Sequence, residues 1–587
     1  MPPATGYKYR FMPARRALLL PLLCALFFAS GASALIYQVL WLRLMGLVFG
    51  VTVYAASTVW AAFMGGLAIG SFSAGALADR VRRPLVWFGI AEALIGITAL
   101  LTPATLDVLQ RIYMSVHADM PQGAGWITLV RFAMAFGVLI VPTALMGATL
   151  PLIIKSSLLK VEGLGARVGL LYGINTAGAI AGTLAAGLVL TPRYGIRVAF
   201  ITAATLNLLV AAAAILAGLR SQGGTQPALE VYEPGAPRPH FSFVDDRTRT
   251  LVLAVFALSG FASIALEVVW FRVVTLFLRP TVYGYALMLT AVLSGIAAGS
   301  FLVAPLMRRR WDWVLVLAVL EVVIGASTLL SFATLSMIPA VMKMAGPLVS
   351  SVIGPYLAYQ LIVSFLVIFP TMVLFGAAFP IGLRLFVGDD GAAASMQAGR
   401  RVGVFYSLNL TGAIIGSLAA GFFLLPRLGT TGTVIVLAFV SAASGWVLGW
   451  VSGAGLARKA VMIGITTVLF VVGYAVLPDP SRAYLAQRYP GETIIWQAEA
   501  VQAMVSVHRH SNNQLSLNVN GNHQASTQQP MPFIHQRIGH LPMIVHPDAK
   551  DALVIGLGGG ATAGAVSQHP GVNVDVVELS REVTRAA

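Results

Sequence analysis

The residues best suited to chemistry lie near the end of the 587-residue chain. Gly556, Gly558, Gly559 and Gly560 follow the short apolar run Ala552-Leu553-Val554-Ile555, and a second run, Val574 to Val577, ends at Glu578. Glycines let a backbone turn sharply and approach a ligand closely. An acid about 20 residues further on, at the tip of the next strand, can accept hydrogen bonds from ribose hydroxyls. A glycine-rich loop alone is weak evidence and can be no more than a tight turn. Strand, loop, the helical stretch Ala561 to Gln568 and the acid together point to a Rossmann-like nucleoside site.

A second group of candidates sits in apolar surroundings. Glu92, Glu267 and Glu321 each fall inside a long hydrophobic run, and Arg131, Asn175 and Asn409 also belong to such runs. An unpaired carboxylate at membrane depth is costly, so each requires a partner or a water-filled cavity. These groups either fix helix positions through ion pairs and hydrogen bonds or line a path for a substrate or a proton.

The elements that must carry both groups follow from composition. The chain is 58% hydrophobic and 10% charged, where a soluble chain carries about a quarter charged residues. Twelve apolar runs between residues 17 and 451 are long enough to span a hydrocarbon core, and a thirteenth, 460–477, is shorter. The net charge of +16 follows topology rather than nucleic-acid binding. Arg15 and Arg16, Arg80, Arg82 and Arg83, Lys155, Arg308 to Arg310, and Arg384, Arg400 and Arg401 all fall on one side if the helices alternate. The positive-inside rule puts that side, and the N-terminus, in the cytoplasm of a multi-pass protein in a bacterial-type inner membrane. The lone Cys24 excludes an intrachain disulfide, and no metal-ligand spacing stands out.

The helical part is duplicated. A shift of 229 residues aligns Ser30-Gly31 with Ser259-Gly260, Trp41 with Trp270, Arg43 with Arg272, Gly66 and Gly70 with Gly295 and Gly299, and Glu92 with Glu321. After a small insertion, Tyr172, Asn175 and Gly178 match Tyr406, Asn409 and Gly412. Each half holds six spans, so the repeats are parallel. The pairs Gly66/Gly70, Gly178/Gly182 and Gly412/Gly416 read as close helix packing. The equivalence of Glu92 and Glu321 favours a structural role for both. Glu267 stands opposite Gln38 and breaks the repeat, which makes it the better functional candidate.

Two parallel six-helix repeats resemble the major facilitator superfamily, and Gly75-Ala76-Leu77-Ala78-Asp79-Arg80-Val81-Arg82-Arg83 looks like that superfamily's loop between helices two and three. The last part of the chain resembles the spermidine synthases. Leu517 to Gln524 is similar to their strand-turn-glutamine segment, Phe533 to His540 to their Tyr-His-Glu helix, and Val554 to Gly560 with Val577-Glu578 to their glycine loop and acidic strand end. The resemblance implies a polyamine aminopropyltransferase-like domain that binds decarboxylated S-adenosylmethionine, or S-adenosylmethionine itself. Gln524 and His535 would then face a polyamine or other small amine.

Two acids of the family pattern are replaced, by Gln536 and Gly559. The family's catalytic aspartate belongs downstream of Ala587, so the catalytic part is expected to be incomplete here. The expected division is 1–220 and 250–452 for the two membrane repeats, 221–249 for the loop between them and 453–480 for an extra helix and linker. Residues 481–550 form a β-hairpin region, and 551–587 begin a Rossmann-like unit. The competing functional reading is a facilitator-like transporter with a degenerate nucleoside-binding tail. If 460–477 spans, the tail faces away from the cytoplasm; if not, it faces inward.

Overall fold

The computed structural model describes residues 19–49, 53–116, 124–157, 164–220, 245–277, 282–309, 311–387, 398–475, parts of 479–499, and 503–587. Arg15, Arg16, Arg310 and the stretch 221–244 lie outside the described residues. The first half consists of α1 (Leu19–Phe49), α2 (Val53–Ala78), α3 (Pro84–Val116), α4 (Ala124–Ser157), α5 (Leu164–Leu184) and α6 (Gly195–Arg220). The second half consists of α7 (Asp246–Phe277), α8 (Val282–Val303), α9 (Trp313–Ala333), a short α10 (Ile338–Ile353), α11 (Pro355–Val387), α12 (Ala398–Ala419) and α13 (Leu425–Val451). Among the described residues, 11 apolar stretches are long enough to cross a membrane. Two of them, Leu170–Arg220 and Arg400–Val451, each contain two helices joined through a wide π-type turn. The chain is a polytopic helical membrane protein, and the last of these apolar stretches among the described residues is α14 (Leu456–Ala475).

The duplication governs the packing. In the first half α1 packs on α5 and α6, α2 on α4, and α3 on α4 and α6. In the second half α7 packs on α12 and α13, α8 on α11, and α9 on α11 and α13. Between the halves α2 packs on α12 and α5 on α8. Exchanging the halves turns one of these seams into the other, as a twofold-like axis along the membrane normal requires.

The small residues make these contacts possible, because helices in lipid associate largely through close packing. A side chain at Gly70 would collide with the Ala144 carbonyl, and one at Gly299 with the equivalent Val373 carbonyl. Gly178 lies equally tight on Phe28, and Gly412 on Ala257. Gly195 and Gly429, which are equivalent, have φ of 81° and 67° and turn the chain between the last two helices of each half.

The two ends of the bundle differ. At the arginine-rich end, Asp79 pairs with Lys155 of α4 at 3.1 Å and accepts the Arg400 N–H of α12 at 2.9 Å. The unsatisfied N–H groups of a helix's first turn suit a carboxylate there, and this one ties the two halves together. The soluble tail meets the other end. Glu499 reaches Arg272, near the end of α7, at 3.0 Å and accepts the Thr430 N–H of α13 at 3.2 Å.

The tail begins with an antiparallel meander of β1 (Thr493–Glu499), β2 (Met504–Arg509), β3 (Leu515–Val519) and β4 (Asn522–Ser526). Asn520 and Gly521, with φ of 51° and 68°, form the tight turn between β3 and β4. One face of the sheet packs Val505, Leu517 and Ala525 against Val583. Met504 belongs to the other face and, with Leu485, joins the hydrophobic core of the helix bundle. Next come α15 (Met531–Val545), β5 (Asp551–Ile555), α16 (Ala561–Val566), β6 (Asn573–Val577) and α17 (Arg581–Ala586). β5 and β6 are parallel, with Ile555 opposite Val577.

Candidate functional site

Because β5 and β6 are parallel and in register, Gly556 and Glu578 leave the sheet side by side. The Gly556 N–H donates to the Val577 carbonyl at 2.8 Å. Gly556, Gly558 and Gly560 have φ of 91°, 53° and 79°, conformations that favour glycine. Nothing lies within 4 Å of where a Cβ would stand on any of the three, so the loop presents an open backbone surface. Gly559 differs: a Cβ there would stand 2.9 Å from the Ala525 side chain of β4.

Glu578 closes this arrangement. One carboxylate oxygen accepts the Leu557 N–H at 2.8 Å and the other the Ser580 N–H at 2.9 Å. Partial burial pushes its carboxyl up. The N–H groups of Ser580, Leu557, Gly558 and Leu579 outweigh that effect and hold it below the usual carboxylate range.

The two remaining candidates lie on the elements that pack beside the loop. Gln524 is exposed on β4, next to the Ala525 that packs against Gly559. His535 is half-buried on α15, and its carbonyl accepts the Thr562 hydroxyl of α16 at 3.1 Å. Gly539 brings α15 onto α16, since a side chain there would press on the Thr562 carbonyl.

The polar candidates of the bundle separate into different environments. Asn175 and Asn409 play matching parts, each donating a side-chain N–H, at 2.9 Å, to the carbonyl of Phe27 and Phe256 respectively. Glu92 is fully buried and accepts the Ser30 hydroxyl at 2.5 Å and the Asn207 amide at 2.6 Å. Its equivalent Glu321 is also fully buried, and Ser259 lies beside it. No hydrogen bond of ordinary geometry reaches either Glu321 oxygen. The counterpart of Asn207 in this half is Ser441, too short to reach, and its own hydroxyl is buried without a partner. Glu267 is buried on α7 and accepts no hydrogen bond from a described residue.

One feature of the tail is not visible in the sequence. Ser506 Oγ lies 2.9 Å from His508 Nε2, and His508 Nδ1 lies 2.9 Å from Glu492. Ser506 and His508 alternate on one face of β2, so strand geometry brings them together. A serine, histidine and acid in this order could form a nucleophile, but Ser506 is fully buried and His508 is 1% exposed. The chain of contacts anchors the 488–492 segment to the sheet.

No family model matches the chain. It is 24% identical over 225 residues to a polyamine aminopropyltransferase of Leptospira interrogans, which covers 38% of this chain and 43% of that protein. It is 24% identical over 353 residues to a polyamine aminopropyltransferase of Mycobacterium tuberculosis, which covers 58% of this chain and 62% of that one. The chain thus spans about half the length of these curated relatives. Both aligned stretches are longer than everything that follows Pro478, so the similarity extends into the helical part. A solved structure of the E. coli fucose:proton symporter overlays 74% of this chain and 98% of its own at 16% identity, with a TM-score of 0.43. The sequence similarity is thus to distant polyamine aminopropyltransferases, at 24% identity.

Proposed function

We propose that the protein is a membrane-anchored, aminopropyltransferase-type protein whose tail binds an adenosyl cofactor. The observation that carries this reading is the pairing of the open glycine loop with Glu578. Three glycines with positive φ leave the loop backbone uncovered, and Glu578 is held ionised beside it by backbone N–H groups. An anionic acceptor at the tip of the second strand suits ribose hydroxyls. Bare loop backbone suits the close approach of the nucleoside.

Decarboxylated S-adenosylmethionine, bound there, would supply an aminopropyl group on an activated sulfonium. Gly556, Gly558 and Gly560 would form the floor under the nucleoside, and Glu578 would orient the ribose. Gln524 and His535 stand on the adjoining elements, where an amine acceptor would approach. The absence of acids at Gln536 and Gly559 removes two charges that would attract a polyamine, which favours an amine of lower charge.

We also read the arginine-rich end as cytoplasmic, which puts the tail on the far side of the membrane. The α14 crossing and the Glu499–Arg272 contact support this orientation. An azidoadenosyl photoprobe applied to the full chain tests the cofactor reading. Labelling within Gly556 to Glu578, removed by Glu578→Ala and by competing decarboxylated S-adenosylmethionine, is expected. Labelling elsewhere, or none, overturns it.

A further inference from the structure

Below the docked tail, the bundle carries a second polar cluster that the tail's chemistry does not use. Glu267 and Phe271 are one turn apart on α7 and so share a face. The Phe271 ring meets Trp60 of α2 edge-on at 5.6 Å and Tyr285 of α8 at 6.3 Å. Gln38 of α1 and Trp60 flank the Tyr285 hydroxyl, and Glu267 acts on it electrostatically. The cluster therefore crosses the seam between the halves, with Gln38 and Trp60 from the first and Glu267, Phe271 and Tyr285 from the second.

Its polar atoms are at best loosely paired. No hydrogen bond of ordinary geometry reaches the buried Trp60 ring N–H or the Tyr285 hydroxyl among the described residues, although Trp60 and Gln38 stand close to that hydroxyl, and Glu267, 6% exposed, has no ion pair among the described residues. Arg272, one turn and a half along α7, faces Glu499 instead. Buried polar groups without partners are rare in native proteins and call for an explanation. The repeat sharpens this point: the position of Glu267 is held by neutral Gln38 in the first half, so the charge is specific to one side of the seam.

From this geometry we propose that Glu267, Gln38, Trp60, Phe271 and Tyr285 form a binding site for a small organic ammonium ion inside the membrane. The carboxylate supplies the counter-charge. Gln38 and the Tyr285 oxygen accept hydrogen bonds from the ammonium N–H groups, and the aromatic faces attract the cation. A bare metal cation gains less, since three of the five groups present aromatic carbon. The site lies about 7 Å along the α7 axis from Arg272, directly beneath the tail's point of attachment, which suits a bundle that takes up an amine at the same end where the tail docks. The proposal does not depend on the tail binding an adenosyl cofactor.

Equilibrium binding of radiolabelled spermidine to the full chain in nanodiscs tests it. Wild type is expected to bind saturably, and Glu267→Gln to weaken binding at least tenfold while eluting as a monodisperse peak. Tyr285→Phe, which removes one oxygen without changing shape, is expected to weaken it several-fold. Glu578→Ala in the tail is expected to leave it unchanged, which separates this site from the nucleoside site. Equal spermidine binding by wild type and Glu267→Gln overturns the proposal. So does sodium binding that depends on Glu267 while spermidine does not bind.

Discussion

Glu499 of β1 and Arg272 of α7 meet at 3.0 Å across the boundary between the soluble tail and the helix bundle. Glu499 also caps the helix that restarts after Gly429, through the N–H of Thr430. The Arg272 side chain is 9% exposed and that of Glu499 is 25% exposed, so the pair is shielded from solvent. Removing one partner of such a pair leaves the other buried and uncompensated, at a cost of about 3 kcal/mol. Glu499→Ala is therefore expected to loosen the tail. Hydrogen exchange in β1 and β2 should accelerate while exchange in α2 and α4 stays the same. Unchanged exchange in the strands would show that the contact carries no docking energy.

The same contact bears on orientation. With Cys24 replaced by alanine, a membrane-impermeant maleimide added to intact cells is expected to label a Ser511→Cys variant in the tail. An Arg82→Cys variant at the arginine-rich end should label only after the membrane is opened. The reverse pattern would place the tail in the cytoplasm.

Glu92 and Glu321 invite a comparison within one molecule. Glu92 is satisfied by Ser30 and Asn207, whereas no hydrogen bond of ordinary geometry reaches Glu321, and Ser441 stands where the repeat has Asn207. Ser441→Asn copies the first half into the second and is expected to stabilise the bundle by about 1 kcal/mol, the net value of one hydrogen bond. Asn207→Ser should destabilise it by about 1–3 kcal/mol, the cost of leaving a buried polar group unpaired. Thermal unfolding of both variants in the same detergent checks the pair, and shifts of the same sign would contradict it.

How much of this can be read from the sequence depends on distance along the chain. The small-residue spacing and the 229-residue offset give the bundle its repeat, because both are periodic signals. The glycine loop and the Asn520-Gly521 turn are local, with each backbone demand tied to a residue type. Contacts such as Glu499 to Arg272, or Ser30 and Asn207 to Glu92, join residues of ordinary type across distant elements, and no spacing announces them. β1 and β4 also escape, since Thr493 to Glu499 mixes polar and apolar residues without alternation and Asn522 to Ser526 is almost wholly polar. Their strand form comes from pairing with β2 and β3.

The pH dependence of the loop follows from Glu578. Its carboxyl is held below the usual range in the folded tail, so its contribution is fully present above the ordinary glutamate value of about 4.3. The contribution is lost as pH falls through the folded value. Protection of the Leu557 and Ser580 amides is expected to hold at neutral pH and to fall away in acid. In Glu578→Gln that acid-dependent step should be absent. A step of equal size in the variant would assign the effect to another group.

Calorimetric titration of the full-length chain with decarboxylated S-adenosylmethionine tests the central claim most directly. Saturable binding at one site per chain, lost in Glu578→Ala and retained in Glu267→Gln, is the expected result. An absence of binding heat for the wild-type chain, or heat that survives Glu578→Ala unchanged, would contradict a nucleoside site in the tail.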